Sequence, residues 1–408
     1  MAIQEIRVTQ PEQQPEPRLR LGMIGGGEGA FIGAVHRAAA NLDGRIQWVC
    51  GSFSRDEENN RRTGSSLGLP HSRIYKSWQQ LIESESALPA AERMQALTIA
   101  TPNQLHVPIA KAALQAGFHV FCEKPAGVTG QEVAELQQVL AGSGCHYALA
   151  HTYLGYPLVH QARAMVAEGR LGRVRKIYVD YRQGWLAGGL EYSGNKQAGW
   201  RTDPAQAGAS GCMADIGTHA FGLAEFVSGQ QISSLSAELR SHIDGRQLDD
   251  DGAALFRTHA GASGVLTASQ VCAGEENNLS LRIYGEHGGL EWHQMQPDTL
   301  IHRAANGDTR LLRAGTDRDY LLPGTLRGLR LPAGHPEGYL EAMANLYRGF
   351  ANAIVDSSEY PLPGIEHGLR GMAFIEAMLA SNGHWVQVTE PTSPSSSTRP
   401  QPAETTYD

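Results

Sequence analysis

The chain reads as an α/β protein, with a doubly wound parallel sheet in its amino-terminal part followed by a mixed α+β unit built mostly on antiparallel strands. Three observations predict this. Short apolar strands alternate with helical patterns over residues 18–150; neighbouring strands separated by glycine-bearing turns dominate after residue 151; and three glycines, Gly25 to Gly27, join the first strand to the first helix. A length of 408 residues is more than one typical core holds, so two domains are expected, at 18–150 and 151–390.

In the first domain RLGMIG, IQWVCGSFS, ALTIATP, HVFCEKP and HYALAH are the strands, and AVHRAAANL, NNRRTGSSLG, HVPIAKAALQAG and GQEVAELQQVLAGSG the helices between them. Apolar strands alternating with helices in this way are covered on both faces. The second domain opens on a helix around LVHQARAMVAEG that stops at Gly169. Its strands are VRKIYVDYRQ, ISSLSAELRS, GAALFRTHA, SGVLTASQV, LSLRIYGEHG and GGLEWHQ. Two late segments, GYLEAMANLYRGFANAIVDS and GLRGMAFIEAMLASNG, carry apolar residues at helical spacing and read as packing helices. Residues 1–17, rich in Gln, Glu and Pro, and 391–408, rich in Ser, Thr and Pro, read as disordered tails.

Composition narrows the function. Hydrophobic residues at 41% and charged residues at 19% are ordinary for a globular chain. The net charge of −8 is spread along the sequence, favours solubility and gives no support to nucleic-acid binding. No apolar run approaches the roughly 20 residues of a bilayer span, and no basic-then-apolar leader opens the chain, so a cytoplasmic protein with no membrane partner is expected. Five cysteines, an odd number with no C-x-x-C pair, point to reduced core thiols rather than disulfides or a metal site. The acidic run Asp249-Asp250-Asp251 reads as a solvated hairpin turn without the ligand spacing of a calcium loop. Zinc-protease, serine-hydrolase and P-loop motifs are absent.

Gly25, Gly26 and Gly27 lie where backbone amides approach a pyrophosphate at the positive helix end without obstruction by Cβ. The fingerprint G-x-G-x-x-G/A fits two registers: Gly25, Gly27 and Ala30, or Gly25, Gly27 and Gly33 with three residues inserted. Spacing favours Ala30, with Phe31 and Ile32 following it beside the cofactor. After the second strand, Ser54 stands where an acid would hold a ribose 2′-hydroxyl, and Arg55 follows, which leans to NADP; Asp56 keeps NAD open. Lys124, at the carboxyl end of a strand, can hydrogen-bond a substrate hydroxyl, although its position equally fits a solvated loop lysine. Asp215 and His219 lie four apart. A carboxylate that accepts from one imidazole nitrogen leaves the other free to take a proton, but D-x-x-x-H alone is more simply a helix cap followed by a buried histidine. Tyr153, in HTYLGY at the domain junction, is placed either to line a cleft or to pack.

Taken in order, the glycine turn, ATPNQLH (100–106), EKP (123–125), GWRTDP and DIGTH resemble the glucose-fructose oxidoreductase, inositol dehydrogenase and MocA family over residues 18–388. The resemblance implies an amino-terminal Rossmann domain and a carboxyl-terminal α+β domain whose large open, mainly antiparallel sheet covers the active-site cleft and mediates homodimers or homotetramers. It implies hydride transfer between NAD or NADP and a secondary hydroxyl or ketone of a sugar, inositol or related polyol. It makes Lys124, Asp215 and His219 catalytic, and Thr101, Pro102, Asn103, His106 and Glu123, with Lys124, the cofactor contacts. Tyr153, Trp200 and Arg201 join the catalytic three on the substrate side. Two other activities fit the same resemblance: an NAD-dependent glycosidase that oxidises its substrate transiently, and a dinucleotide-binding sensor without chemistry. The intact EKP and DIGTH speak against the sensor. LAGGLEYSGNKQAGW, before Arg201, is long for the family and points to a specialised pocket.

Overall fold

The computed structural model describes residues 18–355 and 361–391, so the expected tails lie outside the described residues except for Pro391. The first sheet is formed by β1 (Leu19–Gly25), β2 (Ile46–Ser52), β3 (Ala96–Ala100), β4 (His119–Cys122) and β5 (Tyr147–Leu149). Its helices are α1 (Phe31–Leu42), α2 (Glu57–Ser66), α3 (Trp78–Ala87), α4 (His106–Gln115) and α5 (Gly130–Ser143). All neighbours are parallel, in the order β2-β1-β3-β4-β5, as expected. Because strand side chains alternate, Leu19, Leu21, Met23 and Ala96 enter one apolar cluster while Ile24, Leu97 and Ile99 enter the other.

The remainder contains α6 (Pro157–Ala167), β6 (Val174–Arg182), α7 (Lys196–Arg201), α8 (Pro204–Ala207), α9 (Thr218–Ser228), β7 (Ile232–Arg240), β8 (Asp251–Thr258) and β9 (Ser263–Ser269). It continues with β10 (Asn278–Gly285), β11 (Gly288–His293), β12 (Thr299–Ala304), β13 (Thr309–Arg313), α10 (Pro323–Leu326), α11 (Tyr339–Val355), α12 (Ile365–Ser381) and β14 (Val386–Gln387). Nine strands form one sheet in the order β13-β12-β11-β10-β6-β9-β8-β7-β14, antiparallel throughout except for β6 beside β9. β8 shows why one face is covered: Gly252, Ala254, Phe256 and Thr258 are buried, while Ala253, Leu255 and Arg257 point outward. Helix α11 crosses back to the first sheet, where Tyr347 stacks on Phe121 with ring centroids 4.3 Å apart. A division at residue 150 therefore separates the strands but not α11.

The acidic run is not a solvated turn. Asp249 accepts from the amides of Gly211 and Met213, at 2.8 Å each, and Asp250 accepts from the amides of His242 and Ile243 and from Arg246 Nη1 at 3.0 Å. Asp251 begins β8. The carboxylates satisfy backbone donors before the strand, a use of Asp that charge density alone does not show. The five cysteines are unpaired, and Cys50, Cys122 and Cys212 are buried. Among the described residues no helix is long and apolar enough to cross a membrane, and no cluster of His, Cys, Asp and Glu could hold a metal ion.

Candidate active site

The glycine turn ends β1 with Gly25 and Gly26 in the left-handed region, at φ 78° and 66°. A Cβ on Gly33 would lie 2.1 Å from the carbonyl oxygen of Gly26, so α1 packs on the turn through Gly33. Ala30, which spacing favoured for this contact, is instead the residue before α1 and borders a separate cavity of about 630 Å³. The inserted residues explain the shift. Gly27 donates its amide to Phe53 O at 3.1 Å, and Glu28 donates to Asn59 Oδ1 and Thr63 Oγ1 at 2.9 and 3.0 Å, pinning the enlarged turn to α2. Gly33→Val should cost about 1–3 kcal/mol through overpacking and weaken dinucleotide binding. Thermal unfolding with and without cofactor checks this; parental stability and affinity would contradict the contact.

Helix α1 has no side-chain cap at Ala30 and no acidic residue in its first turn. Its leading amides thus remain donors at the positive end of a 12-residue helix, which fits a pyrophosphate. Ser54 and Arg55 follow β2 beside this turn, since Phe53 is the acceptor for Gly27. Asp56 is engaged as the cap of α2, accepting from Asn59 N at 2.7 Å.

Beyond the turn, a cavity of about 720 Å³ opens between the carboxyl ends of the parallel strands and the covered face of the nine-stranded sheet. It brings together Phe31, Ile32, Thr101, Asn103, Glu123, Lys124, Tyr153, Trp200, Arg201, Asp215 and His219. Gly25, Gly26, Gly27, Ser54, Arg55, Pro102 and His106 do not line it. His106, expected as a cofactor contact, is fully buried, with its ring nitrogens 2.8 Å from Pro125 O and 2.9 Å from Thr101 O. It ties the 101–103 loop to the EKP loop, a scaffold position that spacing cannot distinguish from a ligand contact.

At the deep end, Lys124 Nζ donates to Asp215 Oδ1 at 2.8 Å and to the Asp215 carbonyl at 2.6 Å. Arg201 Nε and Gln270 Nε2 donate to Asp215 Oδ2 at 3.2 and 2.8 Å. Burial alone would raise the Asp215 pKa, but Lys124 and Arg201 hold the carboxyl well below the usual carboxylate range. The expected Asp215–His219 hydrogen bond is not formed. Residues 213–217 are π-helical rather than α-helical, which changes the facing of positions four apart, and the carboxylate is taken by three other donors. His219 Nδ1 is sealed from solvent without a hydrogen-bond partner. Burial, then the charge of Lys124, pushes the His219 imidazole well below the ordinary histidine pKa.

The wall contains residues that motif reading missed. Tyr181 OH and Gln183 Nε2 donate to Asn277 Oδ1 at 2.6 and 2.7 Å, Trp185 Nε1 donates to Gln183 Oε1 at 2.9 Å, and Asn277 Nδ2 donates to Tyr153 OH at 3.0 Å. The i, i+2 spacing of Tyr181, Gln183 and Trp185 along β6 and its extension was the available signal. The end of the long segment before Arg201, from Lys196, forms α7, which sets Gln197, Trp200 and Arg201 in the wall, with the guanidinium 4.2 Å from the Trp200 ring centre. Behind the cavity His36 joins Glu123 Oε1 at 2.9 Å to Tyr347 OH at 2.7 Å.

Residues 19–151 match the oxidoreductase family with an NAD-binding Rossmann fold, and residues 159–291 match the GFO/IDH/MocA C-terminal domain. The "uncharacterized oxidoreductase YfiI" of Bacillus subtilis is 30% identical over 383 residues, covering 90% of this chain and 96% of the relative. The chain belongs to the Gfo/Idh/MocA family. It is accordingly an NAD(P)-dependent oxidoreductase acting on CH–OH groups. An inositol dehydrogenase homolog from Azotobacter vinelandii, solved with NAD+, superposes with a TM-score of 0.86 at 34% identity, covering 91% of this chain and 97% of that one. The same homolog solved with NADH and myo-inositol gives 0.83 at 33% identity, over 91% and 98% of the two chains. The dinucleotides held in these two structures are NAD+ and NADH, which does not bear out the lean to NADP from Ser54 and Arg55.

Proposed function

We propose that the protein transfers hydride between a secondary hydroxyl of a neutral cyclic polyol, a sugar or an inositol, and a nicotinamide cofactor, with Lys124, Asp215 and His219 at the reacting carbon. The observation that carries this reading is the meeting of Lys124 Nζ, the Asp215 carboxylate and His219 at the deep end of the cavity that begins at the uncapped α1. When bound, the nicotinamide accepts the hydride. His219, held neutral by its surroundings, takes the hydroxyl proton. Lys124, fixed on Asp215 with side-chain exposures of 12% and 18%, donates to the same oxygen and stabilises its developing negative charge. Asp215 holds the lysine in place through its carboxylate and its carbonyl, and Glu123, Thr101 and Asn103 flank the cofactor end.

Substrate class follows from charge and shape. Lys124 and Arg201 share Asp215, and Glu123 and Glu276 also line the cavity, so no excess positive charge awaits an anionic substrate; Trp185 and Trp200 stand beside Gln183, Gln197 and Asn277. Such a wall takes the apolar C–H face of a ring while amides hydrogen-bond its hydroxyls. The related inositol dehydrogenase homolog holding myo-inositol supports the same class. A homodimer or homotetramer through the outer face of the large sheet accords with its exposed Tyr178 and Leu255, at 44% and 53%.

The pH dependence follows from His219. A base with a lowered pKa is neutral above that value, so oxidation should hold its plateau through pH 6.5 and fall only in more acid solution. Lys124→Met, by removing a positive charge, should move the acid limb to higher pH. A kcat/KM profile of the parent with its midpoint at or above 6.5 would contradict this. The function itself is tested by incubating the protein with NAD or NADP and a panel of inositols, sugars and glycosides while following reduced cofactor and released sugar. Reduced cofactor from a polyol supports the reading; sugar release without it favours the glycosidase, and neither outcome across the panel defeats both.

A further inference from the structure

Residues 186–196 do not line the substrate cavity, but the residues on either side of them do: Trp185 before, and Gln197, Trp200 and Arg201 after. Gly188, Gly189 and Gly194 leave this stretch little stiffness of its own. Its course is fixed from outside, by the loop between β7 and β8. Arg246, with its side chain 1% exposed, donates through Nε and Nη2 to the two carboxylate oxygens of Glu191, at 2.8 Å each, and through Nη2 to the Leu186 carbonyl at 3.0 Å. Its Nη1 donates to Asp250 Oδ2 at 3.0 Å, and the same oxygen accepts the amides of His242 and Ile243, so the loop that carries Arg246 is itself built. Tyr192 OH donates to Asp244 O at 2.9 Å, past Gly245, where a Cβ would stand 2.9 Å from that hydroxyl.

A two-pronged guanidinium–carboxylate contact fixes orientation as well as distance. A buried ion pair adds little net stability over an apolar alternative, and its best-attested use is to specify one arrangement of the chain. We infer that Arg246 is a positioning residue for substrate specificity: by strapping Glu191 and Leu186 to the β7–β8 loop it sets where Trp185 and α7 stand, and so how large a polyol the cavity takes. The inference rests on the function proposed above, which puts the substrate against this wall.

The connection is short at both ends. Leu186, whose carbonyl Arg246 holds, follows Trp185 directly and donates its amide to Gln270 O at 3.1 Å, while Gln270 Nε2 holds the Asp215 carboxylate. At the other end, Glu191 lies in a 3₁₀ turn, Leu190–Ser193, that leads into Asn195. Asn195 caps α7, accepting the amides of Gln197 and Ala198 at 2.9 and 3.1 Å. From inside the cavity α7 is tied at its last residue, where Arg201 meets Asp215 at 3.2 Å. The strap thus governs its first turn, to which Gln197 belongs.

The test is Glu191→Ala, which releases the strap while Asp250 still neutralises Arg246, with Glu191→Gln as the second variant, since glutamine keeps an acceptor for the guanidinium. Amide hydrogen exchange over residues 186–201 should quicken at least about tenfold in Glu191→Ala while β1 and β3 exchange at the parental rate. On the polyol that the parent oxidises, KM should rise at least about fivefold, with kcat and the dissociation constant of NADH within about twofold. Selectivity, the ratio of kcat/KM for a bulkier glycoside of that polyol to kcat/KM for the polyol itself, should rise at least about fivefold. Glu191→Gln should lie nearer the parent on every measure. Parental exchange in Glu191→Ala, or quickened exchange with KM and selectivity unchanged, overturns the inference while leaving the proposed function standing. So does a common fall in kcat and NADH binding that Glu191→Gln does not restore, which would make the strap a stabiliser of the fold alone. A parent that oxidises no polyol overturns both.

Discussion

Lys124→Ala and His219→Ala should each reduce turnover by a factor on the order of 10² or more while dinucleotide still binds, because general acid-base catalysis supplies about 10² to 10⁴. The structure makes the pair of variants informative. Removing the lysine leaves Asp215 held by Arg201 and Gln270, so the wall keeps its shape and the loss reports on charge at the substrate oxygen. Removing the imidazole leaves Lys124 on Asp215 and reports on the base alone. Steady-state kinetics on the oxidised polyol, with cofactor titration of each variant, measures both. Near-normal turnover in the two would contradict their assignment.

The second large effect concerns the fold. Glu85 is fully buried and accepts from Arg73 Nε and Nη2 at 3.0 and 2.5 Å, from Tyr75 OH at 2.8 Å and from Met94 N at 2.8 Å. One carboxylate thus joins α3, the 3₁₀ turn after α2 with Tyr75 just beyond it, and the approach to β3. Glu85→Ala strands a guanidinium, a hydroxyl and an amide at once. Breaking a buried pair from one side costs about 3–5 kcal/mol. Arg73, at 20% side-chain exposure, can recover some solvation, which places the expected loss near the lower end. Denaturant unfolding checks it, and a change under about 1 kcal/mol would show the network to be dispensable.

The sequence disclosed what periodicity and motif order can carry. Both sheets were legible because β1 is apolar apart from Arg20 and β3 apart from Thr98, and because the later strands are short runs separated by glycine-bearing turns. β12 and β13 were not: they form an edge hairpin around Asn306-Gly307, and β13 is exposed along most of its length, so no burial pattern marks it. α3, WQQLIESESA, was hidden by its polar composition, and its single decisive residue, Glu85, looks like any surface acid until Arg73 and Tyr75 meet it. In the site, Lys124, Asp215 and His219 were found because they sit in short ordered motifs. Their connectivity was not, since a π-helical turn and a lysine 91 residues away in sequence decide where the Asp215 carboxylate goes. The Ala30–Gly33 ambiguity likewise yields only to the distance between α1 and Gly26. Tyr181 carries no motif; its place in the wall rests on Tyr153 and Asn277, which meet it in three dimensions.

The most direct test of hydride transfer at Lys124, Asp215 and His219 is a single turnover with the polyol oxidised in the panel, carrying deuterium on the carbon that loses hydride. Mass spectrometry of the recovered dinucleotide should show one deuterium in the reduced nicotinamide with the parent protein, and formation of that species slowed at least about 10²-fold in Lys124→Ala. Reduced cofactor without the label, or equal rates in parent and variant, would contradict the account.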